Sequence, residues 1–270
     1  MRDGLRHFFE TRLGAPGRAL LAWRTRGQAE RLLAERGLTA PAARLASRLD
    51  HHVRRGPFAG MDYPRRRGDI VHAAKLLGAY ECELHGAVER LIARAPEIVV
   101  NVGSGDGYYV VGIARRLHAA RIVAVDPDPI AQRACADTAR RNGVTARIEA
   151  IPLVDATQLE RILVRELHAL LIVDCEGYEN DLLDPARAPA LAAADILVET
   201  HDFARAGVTA RLTDRFAATH HVERIDVAAR DVGAIPDLAG EPVDVARGLL
   251  DEFRHMPQSW LVLTSRIART

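Results

Sequence analysis

Apolar residues follow two different rhythms along the chain, and the change falls near residue 96. Before it, Leu20, Leu21, Trp23, Leu32 and Leu33 recur among arginines at helical spacing, and Gly37 ends the pattern. Amphipathic helices are therefore predicted at the N-terminus, with an apolar face free to dock on the rest of the chain or on a second copy in a homodimer. Residues 54–69, rich in glycine, proline and arginine, predict a loop, and residues 70–95 predict a further helix closed by Pro96. After residue 96, short apolar runs alternate with helical stretches. Strands are predicted at 97–102, 121–126, 145–151, 169–176, 195–200, 220–227 and 259–266. Helices are predicted from Asp106 onwards and over 129–143, 156–167, 180–194 and 209–219. Such alternation predicts an α/β fold: a Rossmann-like, doubly wound, mostly parallel sheet of seven strands with helices on both faces. The expected organisation is a helical extension or cap over 1–95 and a Rossmann-like domain over 96–270.

The first predicted strand runs into Gly103-Ser104-Gly105-Asp106-Gly107. In an open α/β sheet, ligands bind beyond the carboxyl ends of the strands, and glycines there let backbone approach a ligand without an intervening Cβ. A dinucleotide turn reads G-x-G-x-x-G, whereas these glycines are evenly spaced. A triphosphate loop needs a lysine after its glycines. The only lysine of the chain, Lys75, precedes the first strand. Asp126 ends the second strand, where a carboxylate can accept both hydroxyls of a ribose. Asp155 follows the third strand, where it is either a ligand-facing acid or a helix N-cap.

The G-x-G-x-G turn, with Asp126 and Asp155 at successive strand ends, resembles class I S-adenosylmethionine-dependent methyltransferases. Asp174-Cys175-Glu176-Gly177-Tyr178-Glu179, followed by a strand ending Glu199-Thr200-His201, is similar to the FkbM-type family. This likeness covers roughly residues 56–201 and includes 56–61 and 76–85. It implies a sheet ending in a hairpin with one antiparallel strand near the C-terminus, S-adenosylmethionine as cofactor, and O-methylation of a hydroxyl on a small molecule or glycan. The residues it implies for the cofactor are Asn101, Gly103, Ser104, Gly105, Gly107, Tyr108, Asp126, Asp155 and Asp174. Tyr108 is expected beside the cofactor, and Asp155 at the adenine amino group. Asn101 stands where the family carries an acid for the methionine ammonium; its amide oxygen still accepts a hydrogen bond, without the full charge.

For the chemistry, His201, Asp174, Glu176 and Glu199 are the candidates. His201 is the favoured general base because an imidazole titrates near neutrality, and Glu199 is the alternative. Asp174, Glu199, His201 and Asp202 are a possible divalent-cation set. Glu81, Glu83 and His85 either face the site or sit on a helix surface. Arg65, Arg66 and Arg67 either grip an anionic acceptor or are solvated, and His220-His221 reads as structural. Two other readings remain open on the residues: an NAD-dependent oxidoreductase or epimerase, which would ordinarily add a Tyr-x-x-x-Lys pair, and a non-catalytic module that retains the cofactor fold.

Composition narrows the classes. A formal charge of +1 over 270 residues gives no electrostatic footprint for nucleic acid. Cys82, Cys135 and Cys175 form no C-x-x-C pair and read as thiols of a reducing compartment. Arginines and prolines interrupt the N-terminus where a signal peptide needs an apolar run, and no stretch is long enough for a membrane span. The expected location is the cytoplasm.

Overall fold

The computed structural model describes residues 27–254, 256 and 258–267. Leu20, Leu21 and Trp23, part of the N-terminal apolar pattern, lie outside them. Residues 27–35 are helical, and α1 (Thr39–Arg48) follows. Next come α2 (His72–Leu77) and α3 (His85–Ala93), then β1 (Ile98–Val102), α4 (Tyr108–Arg116), β2 (Arg121–Val125) and α5 (Pro129–Arg141). β3 (Ile148–Ile151), α6 (Ala156–Leu163), β4 (Ala169–Val173), the short α7 (Glu179–Leu182) and β5 (Asp195–Thr200) continue the alternation. α8 (Val208–Phe216), β6 (His220–Asp226), α9 (Val243–Leu250) and β7 (Ser259–Ser265) complete it.

The seven strands form one sheet in the order β3-β2-β1-β4-β5-β7-β6. β1 to β5 pair in parallel, and β7 runs antiparallel to both β5 and β6. This is the Rossmann-like sheet with one antiparallel strand near the C-terminus that the sequence implied. Strand order reverses between β1 and β4, so the ends of these two strands border the crevice where such sheets take ligands. β1 and β4 are buried along their whole length, which is why they read as unbroken apolar runs rather than alternating ones.

Each face of the sheet has its own core. Ile98, Val100 and Val102 pack with Leu159 of α6 and Leu212 of α8. Val99, on the opposite face, packs with Val111 of α4, Leu45 of α1, Leu76 of α2 and Leu249 of α9. The helical N-terminal part thus shares a core with the face of the sheet on which Asn101 also lies, by strand alternation.

Several elements differ from the sequence reading. Residues 70–95 are not one helix. Gly78 ends α2 in a left-handed conformation, Glu81 adopts φ +47, and a 3-10 turn at Cys82–Leu84 leads into α3. Two left-handed residues within four positions cannot continue an α-helix. The helix expected over 180–194 is only α7, with Pro189 opening a 3-10 turn at Pro189–Ala193. α9, between the last two strands, was not anticipated.

His72 ties α2 to the loop before it. It is 2% exposed, and its Nε2 lies 3.1 Å from the Tyr63 carbonyl. Burial, assisted by the nearby Lys75 and His51 and opposed by the Tyr63 hydrogen bond and Asp106, lowers its pKa to about 4 from the usual 6.5. Below pH 6.5 the unfolded chain takes up a proton that the folded chain refuses until near pH 4. The contribution is therefore present above pH 6.5 and lost between about 6.5 and 4. Unfolding free energies at pH 7 and pH 5 should differ by about 2 kcal/mol less in His72→Gln than in the parent. Equal differences in the two proteins would remove His72 as an acid-sensitive point.

Candidate active site

The turn after β1 is built by backbone hydrogen bonds to its neighbours. Gly103 N and Ser104 N both donate to the Val125 carbonyl at the end of β2, at 2.9 and 3.0 Å. On the other side, Asp174 N donates to the Val102 carbonyl at 2.9 Å. A Cβ on Gly103, where φ is +81, would lie 1.7 Å from the Asp174 carbonyl oxygen. Only glycine permits that approach. Gly105 is different: φ is +54, but a Cβ would meet nothing within 4 Å. Its exposed side is space that a ligand can fill. Gly107 precedes α4 and lies against Cys135 of α5.

Asp126 receives Gly105 N on Oδ2 and Asp128 N on Oδ1, each at 2.8 Å. It holds the turn in shape from the end of β2, beside the open side of Gly105. Asn101, 3% exposed on β1, donates its amide nitrogen to the Ile172 carbonyl at 3.2 Å. That bond fixes the amide's orientation and leaves its oxygen as the acceptor for a donor in the cavity it lines. Tyr108 opens α4 and is buried in edge-to-face contacts with Phe58, Tyr63, Tyr80 and Tyr109. Asp155 lies elsewhere. Its Oδ1 accepts Gln158 N at 2.8 Å, and its own backbone N–H donates to Gln158 Oε1 at 2.9 Å, a reciprocal cap on α6.

One cavity runs from the turn into the sheet and is lined by Asn101, Gly103, Gly105, Tyr108, Asp174 and Glu199. The N-terminal part supplies its far wall with Lys75, Tyr80 and Glu81. A groove lined by Glu176, His201, Phe203, Phe253 and Met256 opens alongside it. Tyr80, Asp174 and Glu199 line both. Cavity and groove therefore meet at two carboxylates and a phenol.

Arg254 organises the carboxylates on this wall. Its guanidinium reaches Glu199 at 2.6 Å, Glu81 at 2.7 Å and Glu252 at 3.0 Å, and stacks over Trp260 at 4.8 Å. Tyr109 donates to Glu81 at 2.5 Å. Burial and the neighbouring Glu81 raise the Glu199 carboxyl to about 7, with Arg254 pulling the other way. Lys75 joins the turn from beneath. Its ammonium sits between Asp69 at 3.5 Å and Asp106 at 3.4 Å, donates to the Tyr63 hydroxyl at 2.7 Å, and faces the rings of Tyr63, Tyr80 and Tyr108.

His201 is 1% exposed. Its Nδ1 pairs with Glu179 Oε1 at 2.6 Å, and its Nε2 faces Asp174 and Glu176 at 3.6 and 3.9 Å. Burial works against protonation, but the Glu179 hydrogen bond and the Asp174 carboxylate prevail and raise the pKa to about 9. The expected histidine base is thus an imidazole whose carboxylate neighbours favour its charged form. The cation set also differs from the one expected. Asp202 bonds Thr209 in the first turn of α8, accepting its N–H at 3.3 Å, and Glu199 is held by Arg254. Among the described residues, the atoms that converge are those of Asp174, Glu176 and His201, all within 4.8 Å of one another.

Of the weaker candidates, Glu81 is buried and in the cavity, whereas Glu83 pairs with Arg230 at 2.8 Å. Arg65 and Arg66 bind Glu30 and Asp137 at 3.0 and 2.5 Å. His220 contacts the Ala194 carbonyl at 2.8 Å, as a structural residue would. Sequence reading missed Tyr80, Tyr109, Lys75 and Arg254. A signal existed only for Lys75, the one lysine in a chain whose other bases are arginines.

The family model of ribosomal protein L11 methyltransferase (PrmA) matches residues 86–173, the stretch from α3 to the end of β4. The chain is 36% identical over 144 residues to the ribosomal protein L11 methyltransferase of Pelotomaculum thermopropionicum, covering 51% of this chain and 44% of that protein. It is 38% identical over 77 residues to the one of Symbiobacterium thermophilum, covering 28% of this chain and 25% of that protein. The chain thus spans less than half the length of the curated relatives it matches. Among solved structures, it is similar to an O-methyltransferase from Bacillus cereus in complex with SAH, at 12% identity and a TM-score of 0.44, covering 66% of this chain and 78% of that one. The sequence matches support a class I S-adenosylmethionine-dependent methyltransferase with S-adenosylmethionine as cofactor. They correct the expected acceptor: both curated relatives are named for a protein substrate, not a small molecule or glycan. No helix among the described residues is long and apolar enough to cross a membrane.

The two glycines separate a structural from a ligand-facing role. Gly105→Ala should cost about 1–2 kcal/mol for its left-handed backbone and keep the fold, while weakening S-adenosylhomocysteine binding by roughly tenfold or more. Gly103→Ala should cost more than about 4 kcal/mol, because the turn must leave β4. Calorimetric binding together with denaturant melts checks both, and parental affinity in Gly105→Ala would mean that the turn holds no ligand.

Proposed function

We propose that this chain is an S-adenosylmethionine-dependent methyltransferase whose acceptor is a side chain or terminus of a protein. The observation that carries the reading is the junction of the glycine-turn cavity with the open groove at Asp174 and Glu199. A donor held on the turn and an acceptor lying in the groove would meet there. The protein acceptor follows the substrate for which both relatives are named.

The residues fit the cofactor chemically. Asp126 is a carboxylate at the end of β2, bonded to the turn at Gly105 N, where a ribose would lie, and Asn101 lines the cavity with its amide nitrogen already bonded to Ile172, leaving its oxygen for an ammonium. Gly105 leaves space where the ligand backbone would pass. Asp155 is not assigned to the cofactor in this reading, since it caps α6. When bound, S-adenosylmethionine supplies a methyl group on a positively charged sulfur, open to in-line attack. The buried acids of the wall favour that positive charge electrostatically. Tyr108 and Tyr80 exclude water from the junction by their packing. Glu199, on the floor of both spaces, takes the proton that the acceptor atom loses, and Arg254 fixes its rotamer. His201, paired with Glu179, is not assigned as that base in this reading. An oxygen or a nitrogen acceptor can use this arrangement; O-methylation, implied by the FkbM-type resemblance, is one of these two outcomes.

Transfer of labelled methyl from S-adenosylmethionine to purified ribosomal proteins, read by mass spectrometry of the modified peptide, tests the reading. Glu199→Gln should lower turnover by roughly 100-fold or more while binding S-adenosylhomocysteine with parental affinity. Binding of NAD in place of S-adenosylhomocysteine would favour the oxidoreductase reading and overturn this one. Binding without transfer to any protein fraction would leave only the cofactor-binding module.

A further inference from the structure

We propose that Asp174, Glu176 and His201 form a site for a first-row divalent cation, with its open coordination positions turned to the groove. Asp174 follows β4, Glu176 lies two residues on, and His201 follows β5, so adjacent parallel strands bring the three together. Three features beyond the grouping of acids point to an ion. His201 is almost wholly buried, yet its Nε2 is aimed at both carboxylates from 3.6 and 3.9 Å, too far for hydrogen bonds. Asp174 Oδ1 is sealed from solvent and has no hydrogen-bond partner. His201 Nδ1 is held by Glu179 at 2.6 Å, the carboxylate–imidazole arrangement that fixes the ring and tautomer of a metal-bound histidine.

The spacing suits an ion. With metal–ligand bonds of about 2.0–2.2 Å, two ligand atoms stand up to about 4 Å apart when the angle between them opens past tetrahedral. Distances of 3.6 and 3.9 Å are spans that a cation bridges and a hydrogen bond does not. One imidazole and two carboxylates suit manganese or a similar first-row ion better than calcium, which takes oxygen ligands alone. The site is graded in exposure: the His201 side chain is 1% exposed, Asp174 44% and Glu176 59%. Such a site anchors the ion on the buried side and leaves the groove side for water or an acceptor atom. That the open side meets an acceptor rests on the methyltransferase reading; the ion site itself does not.

The test uses the full chain, stripped with chelator, and manganese alone as the probe. Titration calorimetry and the loss of free-manganese electron paramagnetic resonance signal should report one tight site. Glu176→Gln, a change at an exposed side chain, should weaken it at least tenfold with an unchanged circular dichroism spectrum. His201→Ala should weaken it further if it folds. S-adenosylhomocysteine binding, measured in parallel, reports on the cofactor reading separately: manganese bound without it sinks that reading and leaves the site. Absent manganese binding, or binding that Glu176→Gln does not alter, overturns the site whatever the cofactor does.

Discussion

The contact between Gly103 and the Asp174 carbonyl is the constraint on which the site depends. A Cβ at residue 103 would stand 1.7 Å from that oxygen, so the turn after β1 and the chain leaving β4 can lie side by side only without one. The contact sits at the reversal of strand order, and it brings two chemistries together. The turn carries Gly105, with its open side, and Asp126, which braces it. The chain leaving β4 carries Asp174 and Glu176, which face His201 from β5. The glycine turn and the acid–imidazole cluster are thereby held side by side by direct backbone contact.

The second determinant is the wall contributed from before the first strand. Tyr80 and Glu81 close the cavity, and Glu81 shares Arg254 with Glu199 and Glu252. Glu252 is shared in turn with Arg230, so the acids of this wall are held in one network of ion pairs. Lys75, held between Asp69 and Asp106, ties the same wall to the residue that follows Gly105. The N-terminal part is therefore built into the site rather than appended to it.

The sheet was legible because its signals are local. Runs such as 98–102 and 169–173 are buried on both faces and read as continuous apolar strands, and glycine spacing marks the turn. What failed depended on contacts distant in sequence. The break at Gly78 and Glu81 splits a stretch with good helical periodicity, and only packing against Arg254, 173 residues away, explains a buried left-handed glutamate. Asp155 and Asp202 stand at strand ends, as ligand-binding acids do, but Asp155 also caps α6 and Asp202 bonds Thr209 in α8, roles that a sequence cannot distinguish from a site. His201 was placed at the right strand end, yet its protonation is set by Glu179, whose proximity follows from α7 folding back on β5. Asp126 illustrates the intermediate case: its position was readable, and its bond to Gly105 N was not.

The claim that most of this account rests on is that a nucleoside sulfonium lies across the glycine turn with its reactive end toward Glu199. A crystal structure of the chain with S-adenosylhomocysteine tests it most directly. The account predicts both ribose hydroxyls within hydrogen-bonding distance of Asp126, the amino group at the Asn101 oxygen, and the sulfur opening on the junction between Asp174 and Glu199. A ligand bound away from the turn, or one whose sulfur faces α5 instead of that junction, would contradict it.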